Sequence, residues 1–329
     1  MKKTTSYLVL LFIMTITLSG FNTTKQTNDN PPTEFELLVQ FLEGNNNYIN
    51  SELAPSLVLA PEIKENLKNK KYLVLDIRSE SWFEYGHIKN AKNVKGPELL
   101  NFFKNEITPA EYDKITIVCY SGQSAAYYTS LLRLYGYDNA FSLKWGMSSW
   151  AEEFAANVWV KNSTDDFIDT IETTVNPMPE KGAYPNLTTG KTDGESILKQ
   201  RIEETFAIPY KESIVKTAAF IEAPTDFYVM NYMGEEQYNF GHLQGAVHYT
   251  PNQSLATTTN LATLPVDKRV VVNCDTGQSA AYVVAYLNVL GYNVGNLAYG
   301  SNSYMNSTLV EKGWNGFSEK EIHEFPIVE

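Results

Sequence analysis

Short runs of consecutive apolar residues alternate along the chain with stretches whose apolar residues have helical spacing. Residues 72–78 and 115–119 are rich in β-branched and aliphatic side chains, which is typical of buried parallel strands. Residues 97–105 and 125–135 have helical spacing, and Gly136 is the predicted C-cap of the second helix. Strands that alternate with helices predict an α/β fold in which a parallel β-sheet is flanked by helices.

The alternation continues towards both ends of the chain. Residues 34–43 form a predicted amphipathic helix that is expected to pack on the first domain. The aromatic residues 82–87 are predicted to form a turn, and residues 311–329 are expected to close the second domain. The remaining predicted elements are a short strand at 140–143, a helix at 197–205 and a strand at 227–231.

The pattern around Cys119 is repeated around Cys274. Each cysteine ends a β-branched run and is followed, after two other residues, by the identical sequence Gly-Gln-Ser-Ala-Ala-Tyr. The Gly-His pair that contains His87 recurs at His242, at the same separation as the two cysteines. A constant separation over so many positions indicates an internal duplication whose copies are domain-sized.

Composition predicts where the two copies begin and end. We assign residues 34–158 to the first domain and residues 196–329 to the second. Residues 159–195 lose periodicity and are rich in proline and glycine, so they are the predicted interdomain connection. A connection of this length is expected to lie across the protein surface.

The amino terminus has the pattern of a secretory signal peptide, which we predict for residues 1–20. Two early lysines precede the apolar residues 7–18, a run shorter than the roughly 20 residues of a membrane-spanning helix. Phe21 stands where a lipoprotein would carry its lipid-bearing cysteine, so lipidation is not predicted. The polar residues 21–33 predict a flexible tether. We therefore expect an exported protein, periplasmic or extracellular, with no membrane span after signal removal.

Net charge limits the partners of this chain of 329 residues. A formal charge of −12 argues against nucleic acid and against anionic membrane surfaces as partners. An anionic substrate must therefore be attracted by local groups rather than by the whole molecule.

Each cysteine ends a strand at the mouth of a strand-to-helix loop, where unpaired backbone N–H groups converge. That environment predicts a thiolate and an anion-binding loop. Ser124 and Ser279 are expected to cap the following helices. The predicted loop residues are Tyr120, Ser121, Gly122, Gln123, Ser124 and Ala125 in the first copy, and Asp275, Thr276, Gly277, Gln278, Ser279 and Ala280 in the second.

The chain has only these two cysteines. They are compatible with one structural disulfide between the copies. Matching loop contexts favour reactive thiols instead, since a disulfide needs no such match. Exchange between thiols and disulfides is disfavoured because neither cysteine has a second cysteine nearby.

Several spaced residues together resemble the rhodanese (sulfurtransferase) family. The motifs are Asp76-x-Arg78, Phe83, Gly86-His87-Ile88, Cys119-x-x-Gly122-x-x-Ala125 and Trp145-Gly146, and the likeness covers residues 55–152 and 208–305. The resemblance implies two rhodanese-like domains. It also implies that the cysteine takes sulfane sulfur from thiosulfate or a related anionic donor, holds it as a persulfide and passes it to a thiol or cyanide. No cofactor is expected, and no cysteine–histidine cluster with metal-ligand spacing is present in the sequence.

The chain departs from the family pattern at both loops. The first loop is neutral where rhodaneses acting on thiosulfate usually have basic residues, and Asp275 directly follows Cys274. A neighbouring carboxylate raises a thiol pKa and repels an anionic donor, so Cys119 is predicted to be the better nucleophile. The second copy has Asn231 and Met233 in place of the aspartate and arginine of the first.

Some roles stay open at this point. Asp76 and Arg78 fit substrate contacts and a structural ion pair equally well. His87 and His242 are expected to be structural. Alanine stands where a related phosphatase would carry its arginine, so phosphatase chemistry is disfavoured. The alternative to a transferase is a non-catalytic binding module for sulfur species or for a protein partner.

Overall fold

The computed structural model describes residues 31–329. The predicted signal peptide and nearly all of the predicted tether lie outside the described residues, so both remain predictions. Between residues 31 and 329 no helix is long and apolar enough to cross a membrane.

Two five-stranded parallel sheets form the framework and confirm the predicted α/β fold. In space the strands follow the order β1-β5-β4-β2-β3 in the first sheet and β7-β12-β11-β8-β10 in the second, the same arrangement twice. The short strands β6 and β9 pair antiparallel outside the two sheets. The strand bounds are β1 Leu57–Val58, β2 Tyr72–Asp76, β3 Lys92–Asn93, β4 Lys114–Val118, β5 Ala140–Leu143, β6 Ile171–Glu172, β7 Ile214–Val215, β8 Phe227–Asn231, β9 His242–Leu243, β10 Val247–His248, β11 Arg269–Asn273 and β12 Val294–Leu297.

The helices flank these sheets, and two of their starts differ from the prediction. A short helix replaces the turn expected at residues 82–87, and α5 begins at Gln123 with Gly122 as its N-cap. Ser124 and Ser279 therefore lie inside the first turns of their helices and do not cap them, contrary to the prediction. The helix bounds are α1 Glu34–Gly44, α2 Ala60–Glu65, α3 Glu80–Tyr85, α4 Leu99–Asn105, α5 Gln123–Tyr135, α6 Glu152–Ala155, α7 Gly194–Phe206, α8 Thr217–Glu222, α9 Glu235–Phe240, α10 Gln278–Val289 and α11 Asn302–Lys312.

The two copies share one hydrophobic core, because α5 and α10 pack against each other along the interface between the repeats. Small side chains at the start of both helices are fully buried, which lets the helices approach closely. Tyr282 of α10 reaches across this interface. Its carbonyl oxygen accepts a hydrogen bond from Ser130 at 3.0 Å, and its hydroxyl donates to the carbonyl oxygen of Ser56 at 2.7 Å.

Helix α1 packs on elements of the second repeat, so the prediction that it packs on the first domain is wrong. Its apolar face contacts α7, and Phe35 stacks on Tyr184 of the connection with ring centroids 4.4 Å apart. A Cβ atom at Gly194 would collide with the carbonyl oxygen of Leu37, so the two helices can approach this closely only because that residue is glycine. The sequence gives α1 an apolar face but does not specify which surface covers it.

The carboxyl-terminal segment crosses back to the first repeat. Trp314 packs edge-on against Phe240 of the second repeat, as the prediction for residues 311–329 requires. Farther along, Trp150 donates to the carbonyl oxygen of Pro326 at 3.0 Å, and the N–H of His87 donates to Val328 at 2.9 Å. The end of the chain therefore pairs with the first repeat, and that part of the prediction is wrong.

The connection between the repeats runs over the surface, as expected, and is anchored there. Its strand β6 pairs with β9 of the second repeat. Trp159, near its start, is fully buried in an aromatic cluster with Trp145 and Phe317. The connection is thus fixed against both repeats.

Candidate active site

Cys119 lies directly after β4, at the carboxyl end of the first sheet, where ligands of parallel sheets commonly bind. Gly122 adopts a φ of +84°, a left-handed conformation that turns the loop tightly into α5. The sulfur of Cys119 accepts hydrogen bonds from the N–H of Gly122 at 3.1 Å and of Ala125 at 3.4 Å. Two backbone N–H groups, one from the loop and one from the start of α5, therefore point at the sulfur, in agreement with the predicted convergence of donors.

The resting thiol does not have the lowered pKa that the sequence suggested. Burial raises the pKa of Cys119 above its ordinary value, although the Ser124 hydroxyl and the N–H groups of Ala125, Gly122 and Ser121 act in the opposite direction. Desolvation outweighs those donors because the cysteine is almost fully enclosed. The donors nevertheless converge where negative charge on sulfur would be stabilised.

The Cys119 loop is held from three sides. Gly146 has a φ of +61°, and a Cβ atom there would lie 2.5 Å from the carbonyl oxygen of Cys119. Ser148 donates its hydroxyl to the carbonyl oxygen of Tyr120 at 3.2 Å. The indole N–H of Trp159 donates to the carbonyl oxygen of Ser121 at 3.0 Å. The loop is therefore preorganised before any ligand arrives.

Asp76 and Arg78 form a buried ion pair beneath this loop. Arg78 donates to both carboxylate oxygens of Asp76, at 2.7 to 3.0 Å, and also to the carbonyl oxygen of Gly86 at 2.6 Å. Both side chains are at most 1% exposed. The guanidinium lies over the ring of Phe154, 4.8 Å from its centroid. These contacts favour the structural role over substrate binding.

The second loop repeats the geometry with different electrostatics. The sulfur of Cys274 accepts a hydrogen bond from the N–H of Ala280 at 3.2 Å. Burial and the adjacent Asp275 carboxylate together raise the pKa of Cys274 to about 11, which confirms the predicted effect of that aspartate. The carboxylate accepts hydrogen bonds from Gln237 at 3.1 Å and from Asn315 at 3.0 Å.

Beneath the second loop, the residues that match Asp76 and Arg78 are Asn231 and Met233. Because both are uncharged, no ion pair joins these two described residues. Both are fully or almost fully buried. The amide of Asn231 has no protein hydrogen-bond partner there. The two cysteines are free thiols, each enclosed in its own loop, so the alternative of a disulfide between the copies is not formed.

The side chains of the loop glutamines join the two repeats. Gln123 accepts a hydrogen bond from the N–H of Tyr299 at 2.8 Å, and Gln278 accepts one from the N–H of Trp145 at 3.0 Å. Both glutamines are buried. Their membership of the anion-binding loops stays a prediction, and their side chains also join the two repeats.

The other loop residues are either partly exposed or buried. Tyr120, Ser121 and Ser124 are partly exposed, as are Asp275 and Ser279. The buried loop residues are Gly122, Ala125, Thr276, Gly277 and Ala280, of which Thr276 accepts the N–H of Gln278 at 3.1 Å.

A cleft of about 680 Å³ opens beside the Cys119 loop, between the first repeat, the connection and the second repeat. Tyr120, Ser121, Gln123 and Ser124 line it from the loop side. The opposite wall includes Lys161, Phe167, Tyr210, Lys216 and Tyr299. No sequence pattern predicts this wall, because its residues lie far from the cysteine motif and match no spacing rule.

The two histidines that recur in the repeats, His87 and His242, have structural contacts, as expected. His87 bonds the carbonyl oxygen of Phe83 at 2.9 Å and stacks on its ring. His242 is fully buried and bonds the carbonyl oxygen of Tyr238 at 2.7 Å. Within residues 31–329 no group of three or more histidine, cysteine, aspartate or glutamate side chains is arranged to hold a metal ion.

Comparison with known proteins agrees with the repeated architecture. The family model described as "Rhodanese-like domain" matches residues 59–153 and 222–307, together more than half of the chain. Thiosulfate sulfurtransferase GlpE of Shewanella oneidensis is 34% identical over 84 residues, which are 25% of this chain and 79% of the relative. The protein of that name from Pseudomonas fluorescens is 29% identical over 106 residues, 32% of this chain and 94% of the relative.

Among solved structures, a thiosulfate sulfurtransferase from Pseudomonas aeruginosa aligns over 90% of this chain and 48% of its own. Its sequence identity is 16% and the TM-score is 0.29.

Proposed function

This chain belongs to the rhodanese family, with one rhodanese-like domain in each repeat, and on that basis we propose that it is a sulfurtransferase whose sulfur carrier is Cys119. The donor is thiosulfate or a related anionic sulfane-sulfur compound, and the acceptor is a thiol or cyanide.

The observation that carries the proposal is the pair of backbone N–H donors at the Cys119 sulfur. The N–H groups of Gly122 and Ala125 point at that sulfur, beside a cleft large enough to admit a donor. A hydrogen bond to a charged group contributes roughly 1.5–3 kcal/mol. Two such donors offset part of the cost of holding a persulfide anion in a buried loop.

The reaction has two displacement steps. In the first, the Cys119 thiolate attacks the sulfane sulfur of thiosulfate. An S–S bond to Cys119 forms, the S–S bond of the donor breaks, and sulfite leaves with the electron pair. In the second, an acceptor thiolate or cyanide attacks the outer sulfur of the persulfide. A persulfide or thiocyanate is released, and the Cys119 thiolate is restored without any external oxidant or reductant.

Cys274 is the weaker carrier in this proposal. Its pKa of about 11 leaves a small thiolate fraction at neutral pH, and the Asp275 carboxylate repels an anionic donor. We assign it slow or donor-restricted transfer. The predicted signal peptide would put the activity outside the cytoplasm, which amino-terminal sequencing of the mature protein would test.

The second candidate is a binding module that holds sulfur species or a partner without turnover. The raised thiol pKa at both cysteines favours it, because a protonated thiol is a poor nucleophile.

Steady-state transfer from thiosulfate to cyanide, followed as thiocyanate, separates the two functions. Cys119→Ser is expected to lose at least about 100-fold in kcat/KM, whereas Cys274→Ser keeps most of the activity. Full activity in Cys119→Ser would contradict the assignment of the carrier. Absence of turnover in wild type with thiosulfate, 3-mercaptopyruvate and polysulfide as donors would favour the binding module.

A further inference from the structure

The segment that follows each repeat packs against the other repeat. Ile327, near the carboxyl terminus, occupies the space that a Cβ atom at Gly86 of the first repeat would need. Ile171 of the connection does the same at Gly241 of the second repeat. These two glycines belong to the Gly-His pairs that recur in the repeats, so the chain has exchanged its trailing segments between the two domains.

The exchanged carboxyl-terminal segment meets the turn that holds the Cys119 loop. We call residues 145–150 the Trp145 turn. Within it, the N–H of Met147 donates to the carbonyl oxygen of Cys119 at 2.9 Å. Trp145 starts the turn with a φ of +65°, a left-handed conformation that a bulky side chain rarely adopts. Such a conformation persists only where neighbouring groups hold it. The position of the Cys119 loop therefore depends on the contacts that fix Trp145.

Three of those contacts come from the second repeat and the segment that follows it. The indole N–H of Trp145 donates to the carboxylate of Glu321 at 2.7 Å. The ring packs edge-on against Phe317, and the backbone N–H donates to Gln278 at 3.0 Å. Because Trp145 is only 2% exposed, its indole N–H needs a protein acceptor, and a charged carboxylate is a strong one.

The second repeat has the same backbone conformation without the carboxylate. Tyr299 matches Trp145 and has a φ of +63°. Its backbone N–H donates to Gln123, but no carboxylate between residues 31 and 329 accepts a hydrogen bond from its side chain. Among the described residues, the carboxylate contact is thus found only at the turn that holds Cys119.

We propose that Glu321 is a positioning residue for sulfur transfer at Cys119. Its carboxylate holds the indole of Trp145, and the indole keeps the turn in its left-handed conformation. The turn in turn fixes the carbonyl oxygen of Cys119, and with it the direction of the N–H donors that face the sulfur. This inference rests on the proposed function and adds that the end of the chain, beyond the second repeat, sets the geometry of the reacting cysteine in the first.

Two variants remove the same hydrogen bond from its two sides. Glu321→Ala removes the acceptor, and Trp145→Phe removes the donor but keeps an aromatic ring. Each should slow sulfur loading of Cys119 from inorganic polysulfide about 10-fold, the loss expected when a hydrogen bond to a charged group no longer holds the turn. The double variant should be no slower than the slower single variant. Glu321→Gln keeps an acceptor oxygen and should restore most of the rate.

Glu319→Ala is the matched control. Glu319 lies in the same short 3₁₀ turn as Glu321, is exposed, and its carboxylate forms no hydrogen bond or ion pair with any residue between 31 and 329. Its loading rate should equal that of wild type. Cys274 provides a control within each molecule, because its alkylation by iodoacetamide, followed by peptide mass spectrometry, should not change. Urea unfolding of every variant reports whether the fold itself is weakened.

Slower loading of Cys119 in both single variants, with Cys274 unaffected, supports the inference. A wild-type loading rate in Glu321→Ala overturns it. Equal slowing at both cysteines also overturns it, since that result indicates a general loosening of the fold, and so does an additive loss in the double variant. Wild type that takes up no sulfur contradicts the proposed function itself. Wild type that loads sulfur at the same rate as Glu321→Ala retains the function and loses only the role of Glu321.

Discussion

The second repeat has uncharged residues at the two positions where the first repeat has its buried ion pair. Asp76→Asn and Arg78→Met would copy the residues Asn231 and Met233 that the second repeat has at the matching positions. If the pair is structural, each single variant leaves one buried charge without its partner. The double variant removes both charges together.

The contacts of Asp76 and Arg78 determine how much free energy of unfolding each variant should lose. In Arg78→Met the Asp76 carboxylate, 1% exposed, keeps only the backbone N–H of residue 78 as a donor, at 3.0 Å. Breaking one partner from a buried pair costs about 3–5 kcal/mol. The double variant should cost only about 1–3 kcal/mol, the penalty of an imperfectly bonded buried amide. The coupling free energy is therefore expected to be at least about 3 kcal/mol.

Urea unfolding followed by tryptophan fluorescence and far-UV circular dichroism gives the four free energies of unfolding. Sulfur loading of Cys119 is measured on the folded fraction of each variant. If the loss in the free energy of unfolding of the double variant equals the sum of the losses in the two single variants, the ion pair is not the source of stability. If the double variant is stable but takes no sulfur, Asp76 and Arg78 act on the substrate and the structural assignment is wrong.

Two further predictions concern the loops. Gly146→Ala should displace the Cys119 loop and slow sulfur loading by about 100-fold, because its Cβ would lie 2.5 Å from the carbonyl oxygen of Cys119. Gly136→Ala is the control, because a Cβ there meets no atom within 4 Å; it should cost only about 1–2 kcal/mol of backbone strain and leave sulfur loading intact. If both variants slowed sulfur loading equally, the contact between residue 146 and the Cys119 loop would not be the cause. Cys274, with a pKa of about 11, should react with iodoacetamide at pH 8 about 100-fold more slowly than a thiol of pKa 9.0, and the rate should rise with pH. Asp275→Asn should speed that reaction several-fold by removing a negative charge. An unchanged rate would mean that burial alone raises the pKa of Cys274.

Local patterns predicted the framework well. The buried strand β2 is a short aliphatic run and β4 is a short β-branched run. The helices around them have clear apolar spacing, so neighbouring residues suffice to define these elements. The duplication then predicts the second sheet, because the sequence around Cys274 repeats the sequence around Cys119. The strand-to-helix loop with its glycine likewise follows from local sequence.

Contacts between distant segments could not be predicted. Gln123 has the features of a loop residue that binds an anion, and only the assembled interface brings it to Tyr299. The pKa of Cys119 was misjudged for the same reason. The N–H donors are visible in the motif, whereas the burial that outweighs them depends on a core that contains residues of both repeats. Lys161 and Lys216 line the cleft beside the Cys119 loop because the fold brings them there, and no local sequence pattern predicts it.

The central claim is that Cys119 carries sulfane sulfur, and intact-mass spectrometry tests it most directly. Reduced wild type, Cys119→Ser and Cys274→Ser are exposed briefly to thiosulfate, 3-mercaptopyruvate or polysulfide, with free thiols confirmed beforehand. We predict a gain of one sulfur atom in wild type and in Cys274→Ser, and no comparable gain in Cys119→Ser. A gain that persists in Cys119→Ser, or no gain with any donor, would contradict the claim.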